Sequence, residues 1–432
     1  MNQRRLSRRR FAGVLATPLA LSGCTFADRF SSAPPGDENT INLWYWNRSI
    51  DESLFREFEA QHPGITVNDQ KIGGDYAAKF ITSLAGQAFI PDVVALNEDI
   101  ARYFPNEGEF EDLYELGAQD LSDQYLDWKW AGGVTQQGRM IGFPMDTGPL
   151  GLYYRADLFE QAGLPTEPDE VTAMMAEWQD YFDAGVELQG AIPGVKMMDN
   201  APYLYIMGLM QAKLRYVDEN RQYVGNGDHV RRAWDLALEA DRLDLTAGVD
   251  PFTPDWSAGV SESRFTSFVG AVWMKQYLEE SGPNVVGTWR VAQPPGGPGN
   301  QGGSFIGVTK YARNKELAFE LIKFVQSPEN QVAMYHSLNL FPSALEALND
   351  PVMSEPEEFF GGQATSEQFA ETSENLDVFY VSPAYAIAHS VMTSQVENLT
   401  VGGAEEDGAW EEAQDQIRRE LSHKAPWVEW KD

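Results

Sequence analysis

Between residues 41 and 96 the spacing of apolar side chains switches back and forth between a strand period and a helix period. Ile41, Leu43 and Tyr45 alternate onto one face of a strand. Residues 51–61 then place Leu54, Phe55 and Phe58 at helical spacing, with Asp51 set to cap the helix and His62-Pro63-Gly64 to stop it. Ile65-Thr66-Val67 is a second short strand. Residues 76–88 line up Phe80, Ile81, Leu84, Ala85 and Ala88 as a helical stripe. Val93-Val94-Ala95-Leu96 is unbroken apolar sequence, as a parallel strand covered on both faces requires. Strand, helix, strand, helix, strand opens a doubly wound α/β lobe.

The pattern continues less regularly. Residues 138–154 read as a small hairpin followed by a crossing strand, and residues 157–163 as a short helix ended by Gly163. Residues 170–245 are mostly helical in pattern. Residues 293–303 are a Gly-Pro-rich loop, 304–308 a strand and 315–326 an amphipathic helix. Ser327-Pro328 supplies a cap and a first-turn proline for the next helix. Trp410, Ala413, Ile417 and Leu421 mark a final helix. With 432 residues, 43% of them hydrophobic, two domains or lobes are expected.

The N-terminus reads as an address. Residues 1–10 are strongly basic, residues 11–21 form an apolar stretch too short to span a bilayer, and Ser22-Gly23-Cys24 follows. Ser7-Arg8-Arg9-Arg10-Phe11 resembles a twin-arginine export motif, and Leu21-Ser22-Gly23-Cys24 resembles a lipoprotein box. Residues 1–23 are thus expected to be a signal peptide. The likeness implies a diacylglyceryl group on Cys24, the single cysteine of the chain. Each buried methylene contributes about 0.8 kcal/mol, so two acyl chains hold a protein at a membrane where one does not. Residues 24–39 read as a flexible tether.

Charge narrows the partners. The formal net charge is −33, and loss of the five arginines of residues 1–23 takes it to −38. Such a surface repels phosphate backbones, so no nucleic-acid partner is expected. It also repels anionic headgroups, so any membrane contact needs an anchor. The five histidines are far apart in sequence and none pairs at zinc-ligand spacing, so no metal is expected. The stretch 297–302 matches GxGxxG, but it contains proline, follows no clear strand and opens no helix, so it is set aside as a nucleotide motif and no cofactor is expected.

Four segments together resemble the family 1 extracellular solute-binding proteins of ABC transporters, the group that contains the maltose-binding proteins. They are residues 54–67, ending in His-Pro-Gly-Ile-Thr-Val; residues 85–94, with Pro91-Asp92-Val93-Val94; residues 142–165, with Tyr153-Tyr154-Arg155-Ala156-Asp157-Leu158-Phe159; and residues 314–329, ending in Ser327-Pro328-Glu329. The resemblance covers roughly residues 40–430. It implies a two-lobed, hinged α/β fold of the type II periplasmic-binding-protein kind, with a ligand cleft between the lobes. By that likeness one lobe comprises residues 40–146 plus 305–342 and the other 152–300 plus 360–432, with crossings near 145–151, near 302–305 and after 341. It further implies a monomer that binds a carbohydrate without catalysis and delivers it to the permease subunits of an ABC importer. A polyol, a glycerophosphate-type ligand or an osmolyte in the same fold stays open as an alternative, as does a secreted glycoside hydrolase.

A sugar site needs aromatic plates and hydrogen-bonding side chains together. Trp46 and Asn47 end the first strand, where open α/β sheets bind ligands; Trp46 either stacks on ligand or packs on the sheet. Asn97 and Glu98 end the buried strand at the same edge, as ligand contacts or helix caps. Tyr76 precedes its helix. Asp146 lies at the first crossing, as a hydroxyl acceptor or a turn residue. Tyr203 stands beside Pro202 and is either ligand contact or core. Trp256 sits in a loop-like setting that favours exposure, and Trp273 is the expected stacking ring. Gly303, at the second crossing, would let backbone approach ligand closely.

Overall fold

A computed structural model describes residues 37–46 and 48–430. The expectations for Cys24, for the signal peptide, for most of the tether and for Asn47 lie outside the described residues. Eleven strands are present among them: β1 Thr40–Tyr45, β2 Thr66–Lys71, β3 Val93–Leu96, β4 Phe143–Pro144, β5 Asp146–Thr147, β6 Leu150–Arg155, β7 Lys196–Met198, β8 Phe265–Ala271, β9 Trp289–Ala292, β10 Phe305–Val308 and β11 Phe341–Pro342.

The first lobe is built on a sheet of order β2-β1-β3-β10-β4. β1 pairs parallel with β2 and β3, and β10 runs antiparallel to β3 and β4. Side-chain alternation sorts this sheet into two cores. Ile41, Leu43, Tyr45, Val93, Ala95, Ile306 and Val308 face one core with Phe55 and Phe58, whereas Trp44, Val94, Leu96 and Phe305 face the other with Phe80. The strand face read from Ile41, Leu43 and Tyr45 is therefore the observed one, and β3 is buried throughout.

The second lobe carries a sheet of order β7-β8-β6-β9, with β6 antiparallel to both β8 and β9 and β7 parallel to β8. Helices Ala201–Met210, Asp228–Arg242, Tyr385–Thr400 and Ala409–Lys424 share its large core with Trp234, Trp256 and Trp289. Between the lobes β5 and β11 form a two-residue antiparallel pair, Asp146 opposite Pro342 and Phe341 opposite Thr147. The segment from β9 to β10 makes the second passage between the sheets. Gln301 N–H donates to Gly148 O at 2.8 Å, and Asn300 Oδ1 accepts from Gly148 N–H at 2.8 Å. A Cβ on Gly148 would overlap Gln301 O, so the two passages touch only because that side chain is absent.

Two local expectations are corrected. The stripe on residues 76–88 is not a core face: the helix is Tyr76–Gly86, with Phe80 buried but Ile81 44% exposed and Ala85 and Ala88 exposed. Trp256 is not on a loop. It lies in helix Pro254–Glu262, which Thr253 caps by accepting from Trp256 N–H, with Pro254 in the first turn. No described helix is long and apolar enough to cross a membrane.

Candidate ligand-binding site

Helix Asp127–Gly132 directs three consecutive side chains to three places. Trp128 enters the second-lobe core and donates Nε1–H to Ser373 O at 3.1 Å. Trp130 enters a first-lobe core. Lys129, between them, points into a cavity of about 650 Å³ that both lobes enclose. Glu98, Phe305 and Gln136 line it from the first sheet's side, and Arg215, Tyr380 and Tyr385 from the second's. Gln136 Nε2 spans the gap, donating to Glu219 O at 3.2 Å and to Tyr380 Oη at 3.0 Å.

The cavity's charges are held by the fold around it. Glu98 follows β3, and its carboxylate accepts the Gly302 N–H across the lobes. The side chain is open to cavity water although protein encloses the site, and that enclosure raises its pKa. The neighbouring Asp99 charge adds to the rise, against the Gly302 hydrogen bond, Lys129 and Arg215. The Lys129 ammonium stands 3.6 Å above the Phe305 ring. Burial pulls its pKa down to about 7, with Asp146 and Glu98 opposing. Arg215 donates to the carbonyls of Leu209, Met210 and Ala212, satisfying the free end of helix Ala201–Met210. Burial lowers its pKa as well, yet a guanidinium stays charged.

Aromatic rings complete the walls. Tyr385 stacks on His389 with centroids 4.8 Å apart. His389 Nδ1 lies 2.9 Å from Tyr216 Oη, which is 2.6 Å from Tyr205 Oη. Burial first, and Arg215 second, push the His389 pKa down to about 4, so this ring is neutral and locks the wall behind Tyr385. Trp128 packs on Phe379 with centroids 5.6 Å apart.

Of the residues singled out in the sequence, Glu98 and Gly303 line this cavity. Asn97 adjoins Glu98, and its buried Oδ1 has no partner among the described residues. Asp146, Tyr203 and Trp273 meet on the crossing segment instead of the cavity wall. Asp146 Oδ1 accepts Ser304 N–H at 2.9 Å, Tyr203 Oη donates to Gln301 Oε1 at 2.7 Å, and Trp273 Nε1 donates to Gln301 O at 3.0 Å. Tyr76 is a core residue whose hydroxyl reaches Trp44 O at 3.0 Å and Ala95 O at 2.8 Å, tying helix to sheet. Trp46 packs edge-on against Tyr76, centroids 5.1 Å apart, so its ring serves the sheet. Trp256 is wholly buried and donates Nε1–H to Asp199 at 2.9 Å, which removes it from any ligand surface.

Lys129, Arg215, Gln136, Tyr380 and Tyr385 were not among the expected residues. The run Trp128-Lys129-Trp130 carries a signal, a cation flanked by indoles on a short helix. Tyr380 lies in a stretch without helical or strand periodicity, and nothing in the order of residues places it opposite Gln136.

This geometry agrees with what the chain resembles. The profile of a family described as bacterial extracellular solute-binding protein matches residues 53–361. A lactose-binding protein of Rhizobium radiobacter is 24% identical over 396 residues, which are 85% of this chain and 87% of that protein. A crystal structure of an extracellular solute-binding protein of family 1 superposes with a TM-score of 0.83 at 26% identity, covering 88% of this chain and 99% of that one. The galacto-N-biose-/lacto-N-biose I-binding protein of a Bifidobacterium longum ABC transporter, solved with lacto-N-biose, shares the fold at a TM-score of 0.76 and 20% identity, over 92% of this chain and all of that one. The two-lobed α/β architecture, the cleft between its lobes and the match across most of the sequence lead to one assignment: this chain belongs to the bacterial extracellular solute-binding proteins.

Proposed function

We propose that the chain is the carbohydrate-binding component of an ABC importer, which closes two lobes over a sugar and presents the closed form to a permease. The observation that carries this reading is the cavity itself. About 650 Å³ suits a small oligosaccharide, and its walls combine aromatic rings with Glu98, Lys129 and Gln136, the mixture that C–H faces and hydroxyls require. The lobes, taken as residues 40–146 plus 305–342 and 152–300 plus 360–432, hinge at β5, residues 300–304 and β11. Ligand favours closure because only the closed form offers contacts from both lobes. The lactose-binding relative and the lacto-N-biose-bound neighbour support a sugar over an osmolyte or a phosphorylated ligand. The chain acts by binding, without catalysis, and as a monomer.

We extend the proposal to the N-terminus: twin-arginine export, lipidation of Cys24 and attachment to the outer face of the cytoplasmic membrane. Cys24→Ser is expected to release the protein into the soluble fraction, and a variant that still sediments with membranes contradicts the anchor. The binding reading is tested by a thermal-shift screen over neutral and acidic sugars, polyols and betaines. Ligand at a hundred times its dissociation constant adds about 2.7 kcal/mol of stability. A rise with a sugar is expected. Stabilisation by betaines alone, or turnover of a glycoside, would overturn it.

A further inference from the structure

Lys129 is 2% exposed yet lines the cavity, and it makes no hydrogen bond or ion pair among the described residues. An ammonium has three protons to donate, and a buried cation without acceptors is costly. The Phe305 ring covers one side of Nζ at 3.6 Å. On another side lies Gly303, where a Cβ would stand 3.0 Å from Nζ and 2.8 Å from Asp146 O. The remaining approach is from the cavity.

Acceptors converge on the same space. One Glu98 oxygen is engaged by Gly302 N–H, and the other has no partner among the described residues. Behind it the Oδ1 atoms of Asn97 and Asp99 are buried without partners, although Asp99 Oδ2 pairs with Arg102 at 2.8 Å. A ligand completing this site must offer hydroxyl protons to Glu98 and a lone pair to Lys129 at once.

From this arrangement we propose that Lys129 and Glu98 form a donor–acceptor pair that grips adjacent hydroxyls of an uncharged sugar, and that the Glu98 charge, backed by Asp146, determines the selection against acidic sugars. The proposal rests on the carbohydrate reading above. A ligand carboxylate at Lys129 would also meet the Glu98 and Asp146 charges in a site of low dielectric, and the single ammonium cannot satisfy all three. A cationic ligand would meet Lys129 and Arg215. An uncharged hydroxylated ring avoids both conflicts.

The test is titration calorimetry at pH 6, below the Lys129 pKa of about 7 so that the ammonium is charged, on the full-length chain and its variants with paired probes, neutral galactosides and glucosides against the matching uronates. The wild type is expected to bind a neutral sugar and to bind its uronate at least about 30-fold more weakly. Lys129→Met and Glu98→Gln are each expected to weaken the neutral sugar about 10- to 100-fold, with Lys129→Arg recovering part of the loss. The ligand-free melting temperature of Lys129→Met should hold or rise, which separates lost contact from lost fold. Equal or tighter binding of the uronate, or unchanged affinity in Lys129→Met, overturns this inference and leaves the carbohydrate reading standing. Absence of binding to every sugar, neutral or acidic, removes both.

Discussion

The Arg48 guanidinium meets the Glu280 carboxylate at 3.3 Å although 232 residues separate them, and the two side chains belong to opposite lobes. Arg48 follows the end of β1, and Glu280 sits on helix Met274–Ser281. With Gln136 bridging to Glu219 and Tyr380, the lobes are fastened at more than one place.

Because both members of the Arg48–Glu280 pair are well exposed, its contribution is small, about 0.2–1 kcal/mol. Arg48→Ala is expected to weaken ligand binding less than about fivefold, mainly through faster release. The effect should fade at 1 M salt, where screening reaches within about 3 Å. Stopped-flow dissociation at two ionic strengths measures it. A tenfold loss that persists in high salt would show that Arg48 contacts ligand directly.

Gly303 has φ of +89°, and a Cβ there would press on Asp146 O and Lys129 Nζ. Gly303→Ala is expected to lower stability by about 1–3 kcal/mol and to weaken binding by displacing the ammonium. Chemical denaturation with parallel titration checks both. A stable variant with native affinity would show that the crossing has slack.

Asp199 is buried in the second lobe, where it accepts Trp256 Nε1–H and the Asn200 N–H at 2.8 Å. Burial, outweighing those hydrogen bonds, raises its pKa to about 7. The folded state therefore holds a proton that the unfolded state, with the ordinary aspartate pKa of 3.8, has released. Stability from this group is full at low pH and is lost as pH rises from about 4 through 7, by up to about 4 kcal/mol. Asp199→Asn should flatten that slope, gaining relative to wild type as pH rises, in denaturation curves at pH 5, 6.5 and 8. A parallel slope in the two proteins would show that Asp199 titrates normally.

The sheet of the first lobe was legible because its strands keep strict periods, whereas the apolar stripe of residues 76–88 misled because Ile81, Ala85 and Ala88 face outward. β1 and β3 follow their apolar runs, and Ser327-Pro328 caps the helix it announced, with Ser327 Oγ accepting Asn330 N–H. The candidate cavity was legible only where its lining lies at a strand end or a glycine crossing, as with Glu98 and Gly303. Trp256 misled because Pro254 and Asp255 resemble loop residues, whereas Thr253-Pro254 is the cap and first turn of a helix. Asp146 and Tyr203, each read as ligand contact or as turn and core residue, and Trp273, read as a stacking ring, spend a hydrogen-bonding group on residues 301 and 304 of the crossing. Arg215 and Tyr385 were invisible because their role depends on which helix ends meet in space, and local spacing does not encode that.

A crystal structure of the chain with the tightest-binding sugar of the screen tests the central claim most directly. It should place one sugar ring between Phe305 and the Tyr385 wall, with hydroxyls within hydrogen-bond reach of both Glu98 and Lys129. A sugar bound elsewhere, for example on the exposed rings of Phe252 and Tyr277, with the cavity holding only water, would contradict it.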